Sequence, residues 1–325
     1  MDVYQPPCTV TAETLSQVAA IAEQIGRLQA RPDALLRLRK INRIRTIQGS
    51  LAIEGNTLSE AQITDVLEGK RVVAPPGEIQ EVRNAAAVYA HLAQWNPYRE
   101  SDLLEAHAML MDGLLDRAGH YRNCGVGVMG GQEVVHVAPP ASRVAGLMQA
   151  LFHWLKTTEL HPLVASAMFH YEFEFIHPFE DGNGRMGRFW QTLLLSQWHP
   201  QFADLPIESM IYAQQHDYYA ALNASASAGD AAPFVTFMLE VIHSTLNVLD
   251  TPQVPLQVTP QVKALLGVLH GEMSRTALMA ALGLSDRKSF RMRYLLPALE
   301  AGLIEMTLPD KPNSRLQRYR RVGEG

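Results

Sequence analysis

The chain has 325 residues, 47% hydrophobic and 19% charged, with 22 Gly and 19 Pro, which excludes collagen-like, low-complexity and wholly disordered chains. Its length suits two domains or three. Lys and Arg number 28 against 33 Asp and Glu, a formal charge of −5 that excludes a uniformly basic nucleic-acid binder.

Apolar residues recur at helical spacing over 11–30, and Pro32 punctuates them. A second helix is expected over 33–49, with Leu35, Leu36, Leu38, Ile41, Ile44 and Ile47 in one stripe. Ser59 and Gln62 form a capping box ahead of Ile63, Val66 and Leu67, and Gly69 closes that helix. Pro75-Pro76-Gly77 breaks the chain before a helix over 78–94, and Ser101 is expected to cap the next one, through Met111. The texture then changes. Val126–Val128 and Val134–Val137 around Gly130-Gly131 predict a β-hairpin. Helices resume over 141–156 and 162–176.

Three prolines in 251–260 mark a linker, assigned to 246–260. Beyond it, helices are expected over 261–270, 274–282 and 285–301, then strands over 303–308 and 316–321 joined by a turn at 309–314. That is the layout of a winged helix. This tail holds eleven Lys/Arg against six Asp/Glu, net +5, leaving −10 on the rest. Arg287, Lys288, Arg291 and Arg293 stand where a winged helix would meet DNA, and such modules also dock proteins. The two cysteines, Cys8 and Cys124, form no CxxC pair, so a reduced, cytoplasmic protein is expected. The N-terminus shows no signal-peptide pattern, and no apolar run reaches the ~18 residues of a membrane span.

The chemistry concentrates in His177-Pro-Phe-Glu-Asp-Gly-Asn-Gly-Arg-Met-Gly-Arg188. Gly182, Gly184 and Gly187 satisfy GxGxxG, but no apolar strand precedes them, βα alternation is missing and there is no Walker lysine. His170, Glu174 and His177 share a helix face, yet HExxH and a fourth zinc ligand are absent. An anion site fits better. Asp181-Gly182-Asn183-Gly184 makes a tight turn opening an amphipathic helix over 185–197, where backbone N–H groups and the helix dipole favour negative charge. Arg185 and Arg188, three residues apart, share a face and suit a polyphosphate. Asp181 could hold a divalent cation, and His177 stands close enough to take a hydroxyl proton.

This segment matches HxFx(D/E)GNGRxxR without a gap and so resembles the Fic-domain signature. Gly119–Arg122 and His136–Pro140 resemble the substrate-positioning flap, and Tyr218-Tyr219 the adenine-side helix. The resemblance covers roughly 101–243. It implies an all-α Fic core with a short β-hairpin flap, making the chain mainly α. The divisions would be an N-terminal helical region (1–100), a catalytic domain (101–245), the linker (246–260) and the winged-helix-like domain (261–325).

The resemblance also implies transfer of AMP from ATP to a Ser, Thr or Tyr hydroxyl of a target protein and of itself. His177 would be the base, Asp181 the Mg²⁺ ligand, and Gly182, Asn183 and Gly184 the anion hole. Arg185 and Arg188 would hold phosphates, while Val135, His136, Tyr218 and Tyr219 complete the ATP site. Ser50-Leu-Ala-Ile-Glu54-Gly55 resembles the inhibitory-helix motif, with Glu54 pairing with Arg188 where the γ-phosphate would lie. In some relatives that glutamate helps remove AMP, and relatives suggest a homodimer. One position departs from the pattern: Ala226 or Ser227 stands where many relatives place Asn before Gly229-Asp230. The alternative is a DNA-associated regulatory or antitoxin-like protein whose core senses nucleotide.

Overall fold

Amphipathic and wholly apolar helical segments dominate the chain, and the computed structural model is correspondingly helical. It describes residues 4–29, 32–130, 133–250, 260–284, 286–300, 303–308, 314 and 316–322. Two compact units divide at Asp250 and Thr251.

In the first unit, α1 (Ala12–Gln29) packs along α11 (Ala232–Asp250), and α2 (Pro32–Ile53) lies across α9 (Ile207–Ala213). Helices α3 (Glu60–Leu67) and α4 (Pro76–Ala90) stack beside α2, followed by α5 (Glu100–Leu110) and α6 (Ala141–Thr157). At the centre, α7 (Pro162–Ile176) packs against α8 (Asn183–Trp198), with α10 (Gln215–Ala228) completing the layer against α11. Helix α7 is buried almost all round, from Leu163 to Phe173, as expected of a helix without a polar face.

Local chemistry fixes the helix ends. Ser59 and Gln62 form the expected capping box. His161 caps α7, accepting from the Leu163 N–H, with Pro162 in the first turn. Ser101 does not cap α5. The helix starts at Glu100 with Arg99 in the cap position; the Ser101 hydroxyl donates to Asp102 Oδ1 at 3.2 Å, and Asp102 Oδ2 accepts the Asn96 N–H at 2.9 Å. The hairpin pairs β1 (Gly127–Gly130) with β2 (Glu133–Val137) antiparallel, Val128 opposite His136, with a bulge after Val128. Helix α11 runs on to Asp250 with Thr245 and Leu246 buried, so residues 246–250, expected in the linker, are helical. Residues 251–259 lie outside the described ones.

The second unit holds α12 (Pro260–Val268), β3 (Met273–Ser274), α13 (Arg275–Ala281), α14 (Arg287–Phe290), α15 (Leu296–Glu300), β4 (Ile304–Met306) and β5 (Arg318–Arg321). Its antiparallel sheet has the order β3-β5-β4. Strand β3 is two residues long and was not expected. The helix expected over 285–301 is interrupted by a π turn at Arg291–Leu295. Pro297 explains it, since proline lacks the N–H and crowds the carbonyl four residues earlier. Leu265, Leu278, Phe290, Leu295, Ile304 and Tyr319 form a core of its own. Ser285 and residues 309–313 of the expected turn lie outside the described residues.

Candidate active site

The site is built where α7 ends and α8 begins. His177 terminates α7 in the left-handed region at φ 50°, the one non-glycine residue with positive φ among those described. Such a conformation is uncommon for residues other than glycine and persists where neighbours impose it. Here the His177 N–H donates to the Phe173 carbonyl at 2.9 Å, and Arg122 Nε donates to the His177 carbonyl at 2.7 Å. Arg122 is buried and also reaches the Cys124, Pro139 and Ile176 carbonyls, tying both ends of the hairpin segment to the end of α7.

The turn after His177 is fastened from below. The Asn183 side chain accepts the Phe179 N–H at 2.9 Å and donates to its carbonyl at 3.0 Å, closing a reciprocal clamp. Phe179 is fully buried and stacks on His107, ring centroids 3.6 Å apart. His107 Nδ1 accepts the Gly119 N–H, so Nε2 carries the proton and donates to the Asp181 carbonyl at 2.9 Å. Burial holds this imidazole down at about 4, neutral at ordinary pH. Gly182 has φ 82°, and a Cβ there would stand 2.8 Å from Met111 Sδ, so both backbone and space require glycine.

Over the start of α8 lie the two arginines. Arg185 is buried and pairs with Glu81 Oε1 and Asp181 Oδ1, both at 3.1 Å. The Arg188 side chain is 1% exposed. Its guanidinium donates to Glu54 Oε1 at 2.8 Å, to the Ser50 carbonyl at 3.0 Å and to Ser50 Oγ at 3.3 Å. Burial disfavours its charge, but the Glu54 carboxylate outweighs that and holds its pKa above the ordinary value. Ser50 and Glu54 sit at the end of α2, 138 and 134 residues away in sequence. A Cβ on Gly184 would collide with Glu54 Oε1 and come within 3.0 Å of Arg188 Nη1. The carboxylate therefore lies directly over the glycine turn, within reach of the cation that an anion bound there would need.

Beneath, Tyr218 is buried with its hydroxyl 3.2 Å from His170 Nε2, while Tyr219 is exposed. His170 Nδ1 meets Gln191 Oε1 at 2.7 Å, and burial pushes its pKa down to about 3. These partners make His170 structural. The backbone of Val135 and His136 lies in β2, and their side chains lie outside the described residues.

The structure thus brings together His177, Asp181, Gly182, Asn183, Gly184, Arg185, Arg188, Ser50 and Glu54. Sequence reading passed over His107 and Glu81, which hold Asp181 and Arg185 from α5 and α4 and carry no local pattern.

Among the described residues, no group of three or more His, Cys, Asp or Glu could hold a metal ion. Asp181, 62% exposed beside the turn, fits a Mg²⁺-type site, because that ion keeps waters and combines one or two carboxylates with phosphate oxygens. No described helix is long and apolar enough to cross a membrane.

Residues 97–195 match the Fic/DOC family, and 260–321 match the C-terminal domain of Fic-like "filamentation induced by cAMP" proteins. The chain is similar to a Fic family protein of Desulfovibrio desulfuricans G20, with 53% identity over 99% of both chains and a TM-score of 0.74. Fic-1 of C. elegans, at 23% identity over 73% of this chain and 72% of its own, shares the fold with a TM-score of 0.63. A protein adenylyltransferase Fic of Drosophila grimshawi is 34% identical over 265 residues, covering 76% of this chain and 52% of that relative. Another, from Drosophila virilis, is 35% identical over 226 residues, covering 66% of this chain and 44% of its own. The chain spans about half the length of the curated relatives it matches.

Proposed function

The chain belongs to the Fic/DOC family, and from that premise we propose that it is a protein adenylyltransferase restrained by its own Glu54. The reaction moves AMP from ATP to a Ser, Thr or Tyr hydroxyl of a target protein and of the chain itself. Triphosphate anions sit over Gly182–Gly184, where backbone N–H groups and the N-terminus of α8 face them, with Arg185 and Arg188 as clamps. Asp181 would hold a Mg²⁺ ion, which when bound would supply charge neutralisation for the phosphates. His177 accepts the hydroxyl proton as the oxygen bonds to the α-phosphorus. The bond from that phosphorus to the bridging oxygen breaks, pyrophosphate leaves, and the proton stays on the imidazole.

The observation that carries the reading is the Glu54–Arg188 pair at 2.8 Å, lying against Gly184. A γ-phosphate and Glu54 compete for one guanidinium, so a bound triphosphate is displaced from the in-line geometry while the pair persists. Removal of AMP from modified targets, with Glu54 assisting, is part of the same proposal.

Incubation with α-labelled ATP and Mg²⁺ labels the protein, and Glu54→Gly labels it more strongly. His177→Ala ends transfer and leaves nucleotide binding in place. Wild type and Glu54→Gly that are both folded and both remain unlabelled refute the proposal.

A second activity for the tail is favoured by Arg287, Lys288, Arg291 and Arg293, all exposed and without an ion pair among the described residues. In the winged-helix reading they face duplex DNA. Binding of the full chain to duplex then weakens steeply with salt and with Arg291→Glu/Arg293→Glu. Equal retention of both proteins at low salt excludes it.

A further inference from the structure

The base proposed above needs one imidazole tautomer. A hydroxyl proton can be accepted only by a ring nitrogen carrying a lone pair, so the other nitrogen must hold the N–H. His177 Nδ1 is buried although the side chain is 19% exposed, so the open part of the ring lies away from Nδ1. Glu174, one turn back on α7, places Oε2 3.9 Å from Nδ1.

Glu174 stands between two histidines, with Oε1 3.8 Å from His170 Nε2. The two rings are not equivalent to it. His170 donates its Nδ1–H to Gln191 Oε1 and accepts the Tyr218 hydroxyl at Nε2, so both its nitrogens are engaged and it has no proton for the carboxylate. Only His177 can offer a proton. Space is kept for the carboxylate by Gly187, where a Cβ would stand 3.1 Å from Glu174 Oε1 and 2.7 Å from His170 Cδ2.

We propose that Glu174 is a positioning residue for the transfer reaction: its carboxylate takes the His177 Nδ1–H, which leaves Nε2 as the proton acceptor. Closing 3.9 Å to a hydrogen bond takes about 1 Å of side-chain motion. The charged and titratable groups around the carboxyl are His170 and His177 at the α7 end, Arg188 from α8, Glu54 from α2, and Tyr218 and Tyr219 from α10. Burial, with Glu54 adding to it and Arg188 opposing, pushes the Glu174 pKa up to about 8. In the protonated form the carboxyl is a weaker acceptor than the carboxylate, so the tautomer bias strengthens as pH rises through that value.

This inference rests on the adenylyltransferase reading, and its test separates the two. The parent is Glu54→Gly, compared with Glu54→Gly/Glu174→Gln. Expected are a kcat about 10- to 100-fold lower, an ATP KM within about twofold, and loss of the rise in rate near pH 8. Nitrogen-15 NMR of the imidazoles, with His177 assigned by its loss in His177→Ala, gives a second readout that needs no turnover. The Nδ1–H form is expected in the parent at alkaline pH and the ordinary Nε2–H form in the Gln variant. Unchanged kcat and pH profile in the Gln variant, or an Nε2–H His177 in the parent, overturns the assignment. A parent that transfers nothing overturns the proposed function, while the tautomer measurement still decides on Glu174.

Discussion

Replacing Glu54 by Ala removes the carboxylate facing Arg188 and leaves α2 intact to its last turn. Removing one partner of a buried ion pair costs about 3–5 kcal/mol, because the remaining charge loses its compensation. Here the loss is smaller. Glu54 is 32% exposed, and Arg188 keeps two contacts to Ser50, so about 1–3 kcal/mol of destabilisation is expected. For a unit of this size each kcal/mol moves the thermal midpoint by about 2–4 °C. The same substitution opens the anion site, so inorganic tripolyphosphate at ~100 times its Kd returns about 2.7 kcal/mol to the variant and less to the wild type. Trp95, Trp154, Trp190 and Trp198, the chain's four tryptophans, all lie within residues 1–250, so their fluorescence follows unfolding of this unit. An unchanged midpoint in Glu54→Ala, together with equal tripolyphosphate stabilisation of both proteins, refutes the claim that Glu54 and an anion share Arg188.

Gly184→Ala places a methyl group where Glu54 Oε1 and Arg188 Nη1 converge, and the same methyl intrudes on the anion turn. Nucleotide binding, measured by calorimetry, therefore stays lost even in the Glu54→Gly background. A Cβ at Gly49 would stand 2.6 Å from the Ser209 backbone nitrogen and 2.7 Å from Glu208 backbone atoms. Gly49→Ala should lift α2 from α9, shift Ser50 and Glu54, and raise self-labelling with ATP without touching the site, at a stability cost of about 1–3 kcal/mol. His107 has a folded pKa of about 4 against 6.5 when unfolded, so the unfolded chain binds the proton first. Stability measured by urea unfolding accordingly falls as pH drops from about 6.5 towards 4, and His107→Gln, less stable at pH 7.5, shows a shallower slope across that window.

Most of the helices and the chemistry-bearing turn were legible because their determinants are local. A capping box at Ser59 and Gln62, an apolar stripe on α2, and an anion turn feeding α8 are each fixed by spacing within a few residues. The false cap at Ser101 shows the limit of such signals, since its hydroxyl turns to the neighbouring Asp102 carboxylate, which also takes the Asn96 N–H. What spacing cannot reveal is which distant side chain closes the site. Glu54 meets Arg188 across 134 residues, Glu81 meets Arg185 across 104, and His107 meets Asp181 across 74. The first was reachable through a motif resemblance; the other two had no signal, because a lone Glu on α4 or His on α5 reads as an ordinary helical residue. Glu174 was visible only as a member of a helix face, and tertiary packing of Gly187 and Tyr218 gives it its neighbours.

In the resting site each cation already has an anion. Arg188 holds Glu54, while Arg185 holds Glu81 and Asp181. An incoming triphosphate therefore exchanges carboxylates for phosphates, and its net gain is the difference between two sets of charge-assisted hydrogen bonds. If the Glu54 contact is worth about 1–3 kcal/mol, displacing it weakens productive binding by about 5- to 150-fold. That factor alone attenuates the enzyme without silencing it, since nucleotide in excess overcomes it. Fuller restraint requires that triphosphate bind with Glu54 still in place and its α-phosphate out of line, so that added nucleotide fills the site without restoring the geometry. The two cases separate kinetically: simple competition raises the KM for ATP in the wild type relative to Glu54→Gly, whereas misaligned binding lowers kcat and leaves KM near that of the variant. Glu54 Oε1 stands on Arg188 and directly over Gly184, and a wild type that reaches the variant's kcat at saturating ATP decides for the first case, one that stays below it for the second.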